Sequence, residues 1–235
     1  MQIKNRTNVQ HMERDSLYIQ YGAGQSCPEG WVNFDVSPTL RIQKILILGR
    51  FLPKKQQFPD KIHYGNILKG LPINPKSAAG VYASHVLEHL SLEDFYLALR
   101  NTAKILRPGG IFRCVLPDLA TRAQHYIAAF ENNEPDANIK FLKSCCLGKM
   151  SRPRNLMQLL REIIGNSSHL WMWDEPSLSR ALQDAGYVEI RRCNFGDSED
   201  PMFSRVEEFS RFIDTGYEPP IRELAFEAKR PFNLT

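Results

Sequence analysis

The sequence predicts an α/β fold built around a mostly parallel sheet, and three observations favour this class. Short apolar segments typical of buried strands alternate with a long amphipathic segment typical of a helix. Tight turns separate these segments, which favours parallel pairing of successive strands. The chain has 235 residues, of which 43% are hydrophobic, and this is enough for one substantial core. We therefore predict a single domain over residues 1–235 with an elaboration inside it.

The stretch Leu17–Asp35 holds the first candidate site. Leu17–Tyr21 is a predicted buried strand, and Trp31–Phe34 is a second one that ends in the acid Asp35. The glycines of Gly22–Gly24 lie between them, and without a Cβ their amides can approach a ligand closely. An acid at the end of the second strand can accept both hydroxyls of a ribose. Together these features indicate a nucleoside-containing cofactor at the carboxyl ends of a parallel sheet.

The same stretch does not match the dinucleotide-binding fingerprint, Gly-x-Gly-x-x-Gly opening a helix, with an acid about 20 residues later. Cys27 stands at the third glycine position, Pro28–Gly30 would break a helix, and Asp35 comes too early. Because a pyrophosphate binds best at a helix N-terminus, these differences argue against a dinucleotide. A cofactor with a ribose but no phosphate, such as S-adenosylmethionine, fits the stretch better.

The middle of the chain continues the alternation of strands and helices. The segment Leu40–Leu52 has no decisive periodicity and suits a helix or a strand. Lys61–Ile67 is a predicted third strand, and Ala78–Ser84 is a fourth strand of small apolar residues. Leu92–Leu106 has apolar residues at three- and four-residue steps, which predicts a helix. The following Arg-Pro-Gly-Gly should end that helix, and Ile111–Leu116 is a predicted fifth strand.

Residues 119–168 interrupt the alternation and are predicted to form a helical lid insertion over the carboxyl edge of the sheet. Three helices are expected there, near Thr121–Asn132, Ala137–Leu147 and Arg154–Ile164. No acid occurs from residue 137 to residue 161, while six bases do: Lys140, Lys143, Lys149, Arg152, Arg154 and Arg161. Such a cluster attracts phosphate or carboxylate groups, so an anionic acceptor is one hypothesis and an ordinary solvated face is the other.

The alternation of strand and helix resumes after the insertion. Ser177–Ala185 is a predicted helix with Gly186 as its C-terminal cap, and Tyr187–Cys193 is a predicted strand. Arg222–Lys229 is the last predicted strand. We expect this returning pair of strands to form an antiparallel hairpin on the edge of the sheet.

Composition and charge argue against several classes of protein. The net charge of +4 is too small to indicate nucleic-acid binding. No apolar run reaches the roughly 18 residues that a membrane-spanning helix needs, and the polar N-terminus lacks the apolar segment of a secretory signal. The five cysteines include no Cys-x-x-Cys pair, which is typical of reduced thiols in the cytoplasm. The sequence leaves the oligomeric state open.

Five segments, taken in order, resemble class I S-adenosylmethionine-dependent methyltransferases. They are YGAG, the acid Asp35, VYASHVLEHLS, ILRPGGIFRCVLPD and HLWMWDEPSLSRALQDAGY, and the closest likeness is to the type 11-like predicted methyltransferases. The resemblance covers Leu17–Lys229 and implies a Rossmann-like, seven-stranded, mostly parallel sheet with an antiparallel last strand and flanking helices. It also implies transfer of a methyl group from S-adenosylmethionine to a small acceptor. A hydroxyl of a cell-surface or nucleotide-linked sugar is our first hypothesis for the acceptor, while an amine, a carboxylate or another metabolite stays open.

The resemblance places the cofactor at the ends of the first four strands. The residues expected to surround its methionine and ribose are Tyr21, Gly22, Ala23 and Gly24. Asp35 is expected to accept the ribose hydroxyls, while Asn66 and Ile67 are expected to border the adenine. Ser84 and His85 are expected to lie beside the sulfonium, and no metal ligand is expected.

Methyl transfer is an in-line displacement in which the cofactor supplies the reactive group and the protein aligns the acceptor. A hydroxyl acceptor also benefits from a base, and histidine titrates in the suitable range. The candidates are His85, His89 and His169, while Asp118 could orient one of them or bind the acceptor. For His89 and Asp118 the structural alternative is a helix cap, and for His169 it is core packing. His85 could instead only contact the cofactor.

Three neighbouring residues have weaker signals. Glu88 could take part in the chemistry or pair with an arginine of the lid. Trp171 and Trp173 could stack against a sugar ring, although packing is the plainer interpretation.

Two alternatives come from other classes of protein. Residues 85–89 read His-x-x-Glu-His, which on a helix could bind zinc, with the glutamate as the base of a metallopeptidase. Against this function, the motif directly follows a small-residue strand, and the glycine turn would have no purpose. The other alternative is a non-catalytic cofactor-binding or scaffold protein. It is motivated by Gln20, Asn66 and Gly80, which stand where acids are common among the proteins that this chain resembles.

Overall fold

The computed structural model describes residues 17–43, 57–149, 151–155 and 168–232 of the chain. The strands of this part are β1 (Leu17–Tyr21), β2 (Trp31–Asp35), β3 (Ile62–Tyr64), β4 (Ala78–Ser84), β5 (Leu106–Leu116), β6 (Val188–Arg192), β7 (Ile213–Asp214), β8 (Ile221–Arg222) and β9 (Leu224–Lys229). Seven of them form one sheet in the order β3-β2-β1-β4-β5-β9-β6, while β7 and β8 pair separately. All neighbours in the large sheet are parallel except at β9, which is antiparallel to β5 and β6. The α/β fold and the reversed last strand are therefore confirmed.

The helices of the described residues are α1 (Pro38–Gln43), α2 (Leu92–Ile105), α3 (Leu119–Glu131), α4 (Ala137–Ser144), α5 (Glu175–Asp184) and α6 (Phe209–Phe212). Polar side chains fix where the longer helices begin. Ser91 Oγ accepts from Asp94 N at the start of α2, and Asp174 and Ser177 form a reciprocal capping box on α5. Among the described residues, none of the helices has both the length and the apolar character needed to cross a membrane.

The order of the strands reverses between β1 and β4, and this reversal positions the candidate site. The chain moves outward through β2 and β3 and then returns to place β4 on the other side of β1. Open α/β sheets bind ligands at the carboxyl ends of their strands at such a switch point. Here those ends carry the glycine bend after Tyr21, the acid Asp35 and the residues that follow Ser84.

The observed elements differ from the predicted ones mainly at their ends. The helix α2 ends at Ile105 as expected, but β5 begins directly at Leu106 instead of at Ile111. Gly109 N and Gly110 O both pair with the backbone of Arg230, at 2.9 Å each, so the Arg-Pro-Gly-Gly segment belongs to the sheet instead of forming a turn. Most of the segment Leu40–Leu52, and most of the helix expected near Arg154–Ile164, lie outside the described residues.

The core lies on both faces of the sheet. On one face α2 and α5 bury apolar side chains such as Phe95, Leu99 and Leu182 against the strands. On the other face Phe203 and Phe212, from the segment between β6 and β8, pack against residues such as Tyr18, Trp31 and Tyr82. The sequence did not predict this second layer, because one-turn helices and 3₁₀ turns are too short to show a periodic pattern.

A fully buried guanidinium fastens this second layer to the sheet. Arg113, in the middle of β5, donates from Nε to Glu207, from Nη1 to Glu227 (3.0 Å) and from Nη2 to Asp197 (3.1 Å). Several acids thus neutralise one buried cation, which is the condition under which a buried charge is tolerated. The network joins β5 and β9 to the segment that covers them.

Candidate active site

The bend after β1 is bonded to the end of β2. Ala23 N donates to Phe34 O at 3.0 Å, and Gly24 N donates to Asp35 Oδ2 at 2.8 Å. The other carboxylate oxygen, Oδ1, accepts from Ser37 N at 2.7 Å. Asp35 is only 9% exposed, yet each carboxylate oxygen can accept a second bond and so has capacity for a hydroxyl donor. The bend and the acid therefore form one unit.

The two glycines of the bend serve different purposes. Both have positive φ, 66° at Gly22 and 55° at Gly24, a region that side chains disfavour. A Cβ on Gly22 would lie 2.1 Å from Val86 Cγ2, so the loop after β4 packs directly on the bend. A Cβ on Gly24 would meet nothing within 4 Å among the described residues, which leaves an open side where a ligand can reach the backbone amides.

Three other residues predicted to contact the cofactor, Tyr21, Asn66 and Ile67, are held in place by hydrogen bonds within the protein. The Tyr21 side chain lies in the core, where its hydroxyl accepts from Thr102 Oγ1 at 3.3 Å, so only its backbone belongs to the bend. Asn66 Oδ1 caps the 3₁₀ turn that follows it, with a 2.9 Å bond to a backbone amide. The carbonyl of Ile67 accepts from Asn101 Nδ2 at 2.8 Å. The loop after β3 is therefore held firmly against α2.

The end of β4 leads into a cluster of histidines. His85 has a φ of 53°, an uncommon conformation for a residue with a side chain, and its Nε2 donates to the carbonyl of Arg211 at 2.9 Å. Its Nδ1 lies 3.4 Å from Glu88 Oε1. Burial alone would lower the pKa of His85, but the contact with Glu88 and its negative charge outweigh burial and raise that pKa. Both ring nitrogens of His85 are thus engaged.

Glu88 is the centre of this cluster. It is 1% exposed, and in the part of the chain that the structure describes neither carboxylate oxygen accepts a well-formed hydrogen bond. His89 Nε2 lies 4.0 Å from Glu88 Oε1, while His89 Nδ1 donates to the carbonyl of Ser168 at 3.1 Å. Within the described part of the chain, the contacts of Glu88 are with two histidines and not with a lid arginine.

The third histidine comes from a distant segment. Leu170 N and Trp171 N both donate to the backbone carbonyl of Glu88, at 2.8 and 3.2 Å, which docks their segment on the turn after β4. His169 then lies with its ring centroid 5.1 Å from that of His89. Burial lowers the pKa of His169, so its ring is neutral at pH 7. The structure therefore brings together all three histidines that the sequence nominated.

A family model described as a methyltransferase domain matches residues 34–114, from the end of β2 into β5. The chain thus has a methyltransferase domain and is an S-adenosylmethionine-dependent methyltransferase. Its cofactor is S-adenosylmethionine, as the glycine bend and the early acid indicated. The alternatives of a metallopeptidase and of a non-catalytic scaffold are not favoured.

Solved structures with similar folds are methyltransferases. An S-adenosylmethionine-dependent methyltransferase from Methanosarcina mazei has a TM-score of 0.50 and 13% identity, over 94% of this chain and 95% of its own. A Haloferax volcanii methyltransferase, solved with the Trm112 methyltransferase activator, has a TM-score of 0.48 and 15% identity, over 96% and 86%. Phosphoethanolamine N-methyltransferase 2 of Haemonchus contortus has a TM-score of 0.47 and 10% identity, over 94% of this chain but 50% of its own length. Because these sequence identities are low, the matches show a shared fold and nothing about the acceptor. No curated protein sequence matches the chain significantly.

In this methyltransferase the fourth catalytic candidate, Asp118, has many structural contacts. Its Oδ1 accepts from Ala120 N at 2.9 Å, and its Oδ2 accepts from Thr121 Oγ1 at 3.1 Å and from Arg192 Nη2 at 2.8 Å. The carboxylate thus caps α3 and pairs with β6, as the structural alternative supposed. A chemical role for Asp118 stays a prediction that none of these contacts supports.

The backbone around the His-x-x-Glu-His motif is not the helix that a zinc peptidase requires. His85 is in a left-handed conformation at the end of β4, and only Leu87–His89 forms a turn, of the 3₁₀ type. Histidines at the two ends of the motif therefore do not lie on one helical face, and His85 Nε2 is bonded to a carbonyl. The helix that the peptidase alternative needs does not form at residues 85–89, because the small-residue strand extends up to the first residue of the motif.

In this methyltransferase the two tryptophans near His169, and the bases of the lid, differ from one another in their surroundings. Trp173 is buried and stacks on Phe95 with ring centroids 4.2 Å apart, whereas Trp171, two positions after His169, is 42% exposed. In the basic stretch of the lid, Lys140 pairs with Glu134 at 2.7 Å and with an aspartate at 3.2 Å, so part of that charge is neutralised locally.

The sequence ranked Glu88 below the histidines as a candidate site residue. The signal that could have raised it was its position between two of them in the chain.

Replacing Gly22 with alanine should lower the free energy of unfolding by about 2 kcal/mol, because strain at positive φ adds to a clash with Val86. Urea denaturation measures the change. The matched control is Gly24→Ala, which has the same backbone strain and no clash, and should cost about 1 kcal/mol. Val86→Ala in the Gly22→Ala background should recover part of the loss. Equal losses for Gly22→Ala and Gly24→Ala would show that Val86 does not press on the bend.

Proposed function

We propose that this enzyme binds S-adenosylmethionine at the bend after β1 and transfers its methyl group to a hydroxyl of a small acceptor, with a sugar as the preferred class. The observation that carries the proposal is the adjacency of two units at one sheet edge. One unit is the bend, bonded to Asp35; the other is the set of histidines around Glu88. Val86 lies between His85 and Glu88 in the chain and packs on Gly22. The methyl donor and the proton acceptor would therefore face the same space.

The cofactor roles follow from which groups the bend leaves accessible. The backbone of Gly22–Gly24, whose amides at Ala23 and Gly24 already donate to the end of β2, would pack against the methionine portion on the open side of Gly24. Asp35 would accept the two ribose hydroxyls with the lone pairs that the backbone amides leave. The loop of Asn66 and Ile67 would border the adenine, chiefly through its backbone, because the Asn66 side chain already caps a turn. Ser84 and His85 would lie by the sulfonium.

The proton of an acceptor hydroxyl must leave during transfer, and the Glu88 cluster is the group suited to remove it. His85 holds Glu88 in place, because its own nitrogens contact Arg211 and the carboxylate. His89 Nδ1 donates to a carbonyl, so Nε2 is the ring nitrogen that faces the cluster. His169 is neutral at pH 7. These two imidazoles, next to a buried carboxylate, supply the basic atoms.

A sugar is preferred over an anionic acceptor on two grounds. Trp171, two positions after His169, has a partly exposed ring, and an aromatic ring offers an apolar face on which a sugar can stack. The basic stretch of the lid, which motivated an anionic acceptor, has at least Lys140 already paired with acids. A neutral sugar hydroxyl therefore suits the described surroundings better than a phosphate or carboxylate.

The test is transfer from S-adenosylmethionine labelled in its methyl group to a panel of sugars, nucleotide-linked sugars, amines and carboxylic acids. We expect label in the sugars, in products that resist mild alkali, because an ether survives conditions that hydrolyse a methyl ester. His169→Gln should lower kcat by about 100-fold with little change in the KM for S-adenosylmethionine. The control His63→Gln, on β3, should retain activity. Label found only in amines or in alkali-labile esters would overturn the hydroxyl assignment.

A further inference from the structure

Three side chains beyond the end of β4 bring their ligand atoms to one place. One atom each from Glu88, His89 and His169 lies within 4.8 Å of the others. Two separate segments supply them, the 3₁₀ turn Leu87–His89 and the segment that contains His169. Because Leu170 N donates to Glu88 O at 2.8 Å, the backbone of one segment is fixed against the other. The arrangement is thus built by the fold and does not depend on one flexible loop.

The carboxylate at the centre of this group is buried and only partly compensated. Glu88 is 1% exposed, and among the described residues its Oε1 and Oε2 accept no well-formed hydrogen bond. A buried carboxylate without partners costs several kcal/mol, so proteins keep one only when a cation or a set of donors faces it. The groups within ion-pair distance are His85 and His89, and both approach Oε1.

One ring nitrogen of each nearby imidazole is bonded to a backbone carbonyl, and the other faces this carboxylate. A carbonyl oxygen can only accept, so His89 Nδ1 donates to Ser168 O, and Nε2, 4.0 Å from Glu88 Oε1, is the ring nitrogen that can face a metal ion. A hydrogen bond from the outer nitrogen to a carbonyl is the usual support of a metal-binding histidine. His85 has the same form, with Nε2 bonded to Arg211 O and Nδ1 facing the carboxylate. A cation placed between these ring nitrogens and the carboxylate would compensate the buried negative charge.

We propose that Glu88, His89 and His169 bind a divalent first-row transition-metal ion, for which Zn²⁺ is the probe. Two imidazole nitrogens and one carboxylate are a frequent protein ligand set for zinc, and they do not suit Mg²⁺ or Ca²⁺, which prefer oxygen alone. Ligand atoms around tetrahedral zinc are about 3.3 Å apart, so the side chains need to close by about 1.5 Å at most from the 4.8 Å limit.

The inferred site differs from both expectations that the sequence raised. No metal ligand was expected in the methyltransferase, and the peptidase alternative had His85 and His89 as ligands with Glu88 as the base. Here Glu88 is a ligand and the second histidine comes from another segment. Three protein ligands leave one coordination position open, where a hydroxyl would bind and lose its proton near neutral pH. This use in catalysis rests on the proposed function, whereas metal binding itself does not.

The test uses the full chain, freed of metal with a chelator and titrated with Zn²⁺, Mn²⁺ and Mg²⁺ by calorimetry without cofactor or acceptor. We expect about one equivalent of Zn²⁺ to bind and Mg²⁺ to bind far more weakly. Glu88→Gln and His169→Ala, which alter the two different segments, should each weaken Zn²⁺ binding by at least about 100-fold. Replacement by Co²⁺ should give visible absorption bands that either variant loses.

The matched control is His63→Ala, which removes a histidine from β3 and should leave the Zn²⁺ affinity unchanged. Circular dichroism verifies that each variant is folded. Glu88→Gln keeps the size of the side chain, so it still tests the site if His169→Ala unfolds. Wild-type protein that binds no stoichiometric Zn²⁺, or variants that bind it as tightly as wild type, would overturn the proposal. Because no acceptor is present, a failure of the hydroxyl assignment would leave this result unaffected.

Discussion

Replacing Asp35 with asparagine is expected to weaken the binding of S-adenosylmethionine by about 100-fold. The carboxylate already accepts from Gly24 N and Ser37 N, and in the proposed site it also accepts the ribose hydroxyls. An amide has an NH₂ group in place of one oxygen, so either orientation sets a donor against a backbone N–H. Hydrogen bonds to a charged group contribute about 1.5–3 kcal/mol, and 100-fold corresponds to about 2.8 kcal/mol.

Calorimetric titration with S-adenosylmethionine and with S-adenosylhomocysteine measures the effect. Thermal denaturation of the same variant separates a loss of the bend from a loss of the ribose contact. The control Asp184→Asn makes the same change on the surface of α5, where the carboxylate pairs with Arg180, and should bind both compounds like wild type. An Asp35→Asn variant with affinity within threefold of wild type would contradict the placement of the cofactor on this bend.

Replacing Arg122 with methionine should lower the free energy of unfolding by about 3–5 kcal/mol. Arg122 on α3 and Glu223, between β8 and β9, are 3% and 4% exposed. They form a bidentate pair in which Nη1 and Nη2 each donate over 2.7 Å. Arg122 Nε also donates to Ser144 O at 2.9 Å, at the end of α4. Without the guanidinium, Glu223 stays buried with an uncompensated charge, and the helices after β5 lose their common anchor.

Urea denaturation at pH 7 gives the size of this loss. The exposed pair Arg180–Asp184 is the control, and Arg180→Met should cost no more than about 0.5 kcal/mol. The double variant Arg122→Met/Glu223→Leu should be more stable than Arg122→Met, because it removes the unpaired charge as well. If Arg122→Met changed stability by less than about 1 kcal/mol, the buried pair would not anchor the lid helices.

Local patterns were sufficient for most of the sheet and for half of the site. The bounds of β1 and β4 were predicted as observed, because short apolar runs flanked by turn residues define a buried strand within a few positions. The glycine bend and Asp35 were found together for the same reason, since 11 positions separate Gly24 from the acid that it contacts. The layer that holds Phe203 and Phe212 was missed, because its elements are too short to be periodic.

The sequence by itself determined the α/β class, the direction of most strands, the glycine bend with its acid and the three candidate histidines. Only the tertiary structure decided that Glu88 stands at their centre and that Asp118 caps a helix. The physical reason is distance along the chain. His89 and Ser168 are 79 positions apart, and no local pattern records that backbone bonds to Glu88 bring their segments together. Side chains whose surroundings are built by remote segments acquire their burial, partners and charge only when the chain folds.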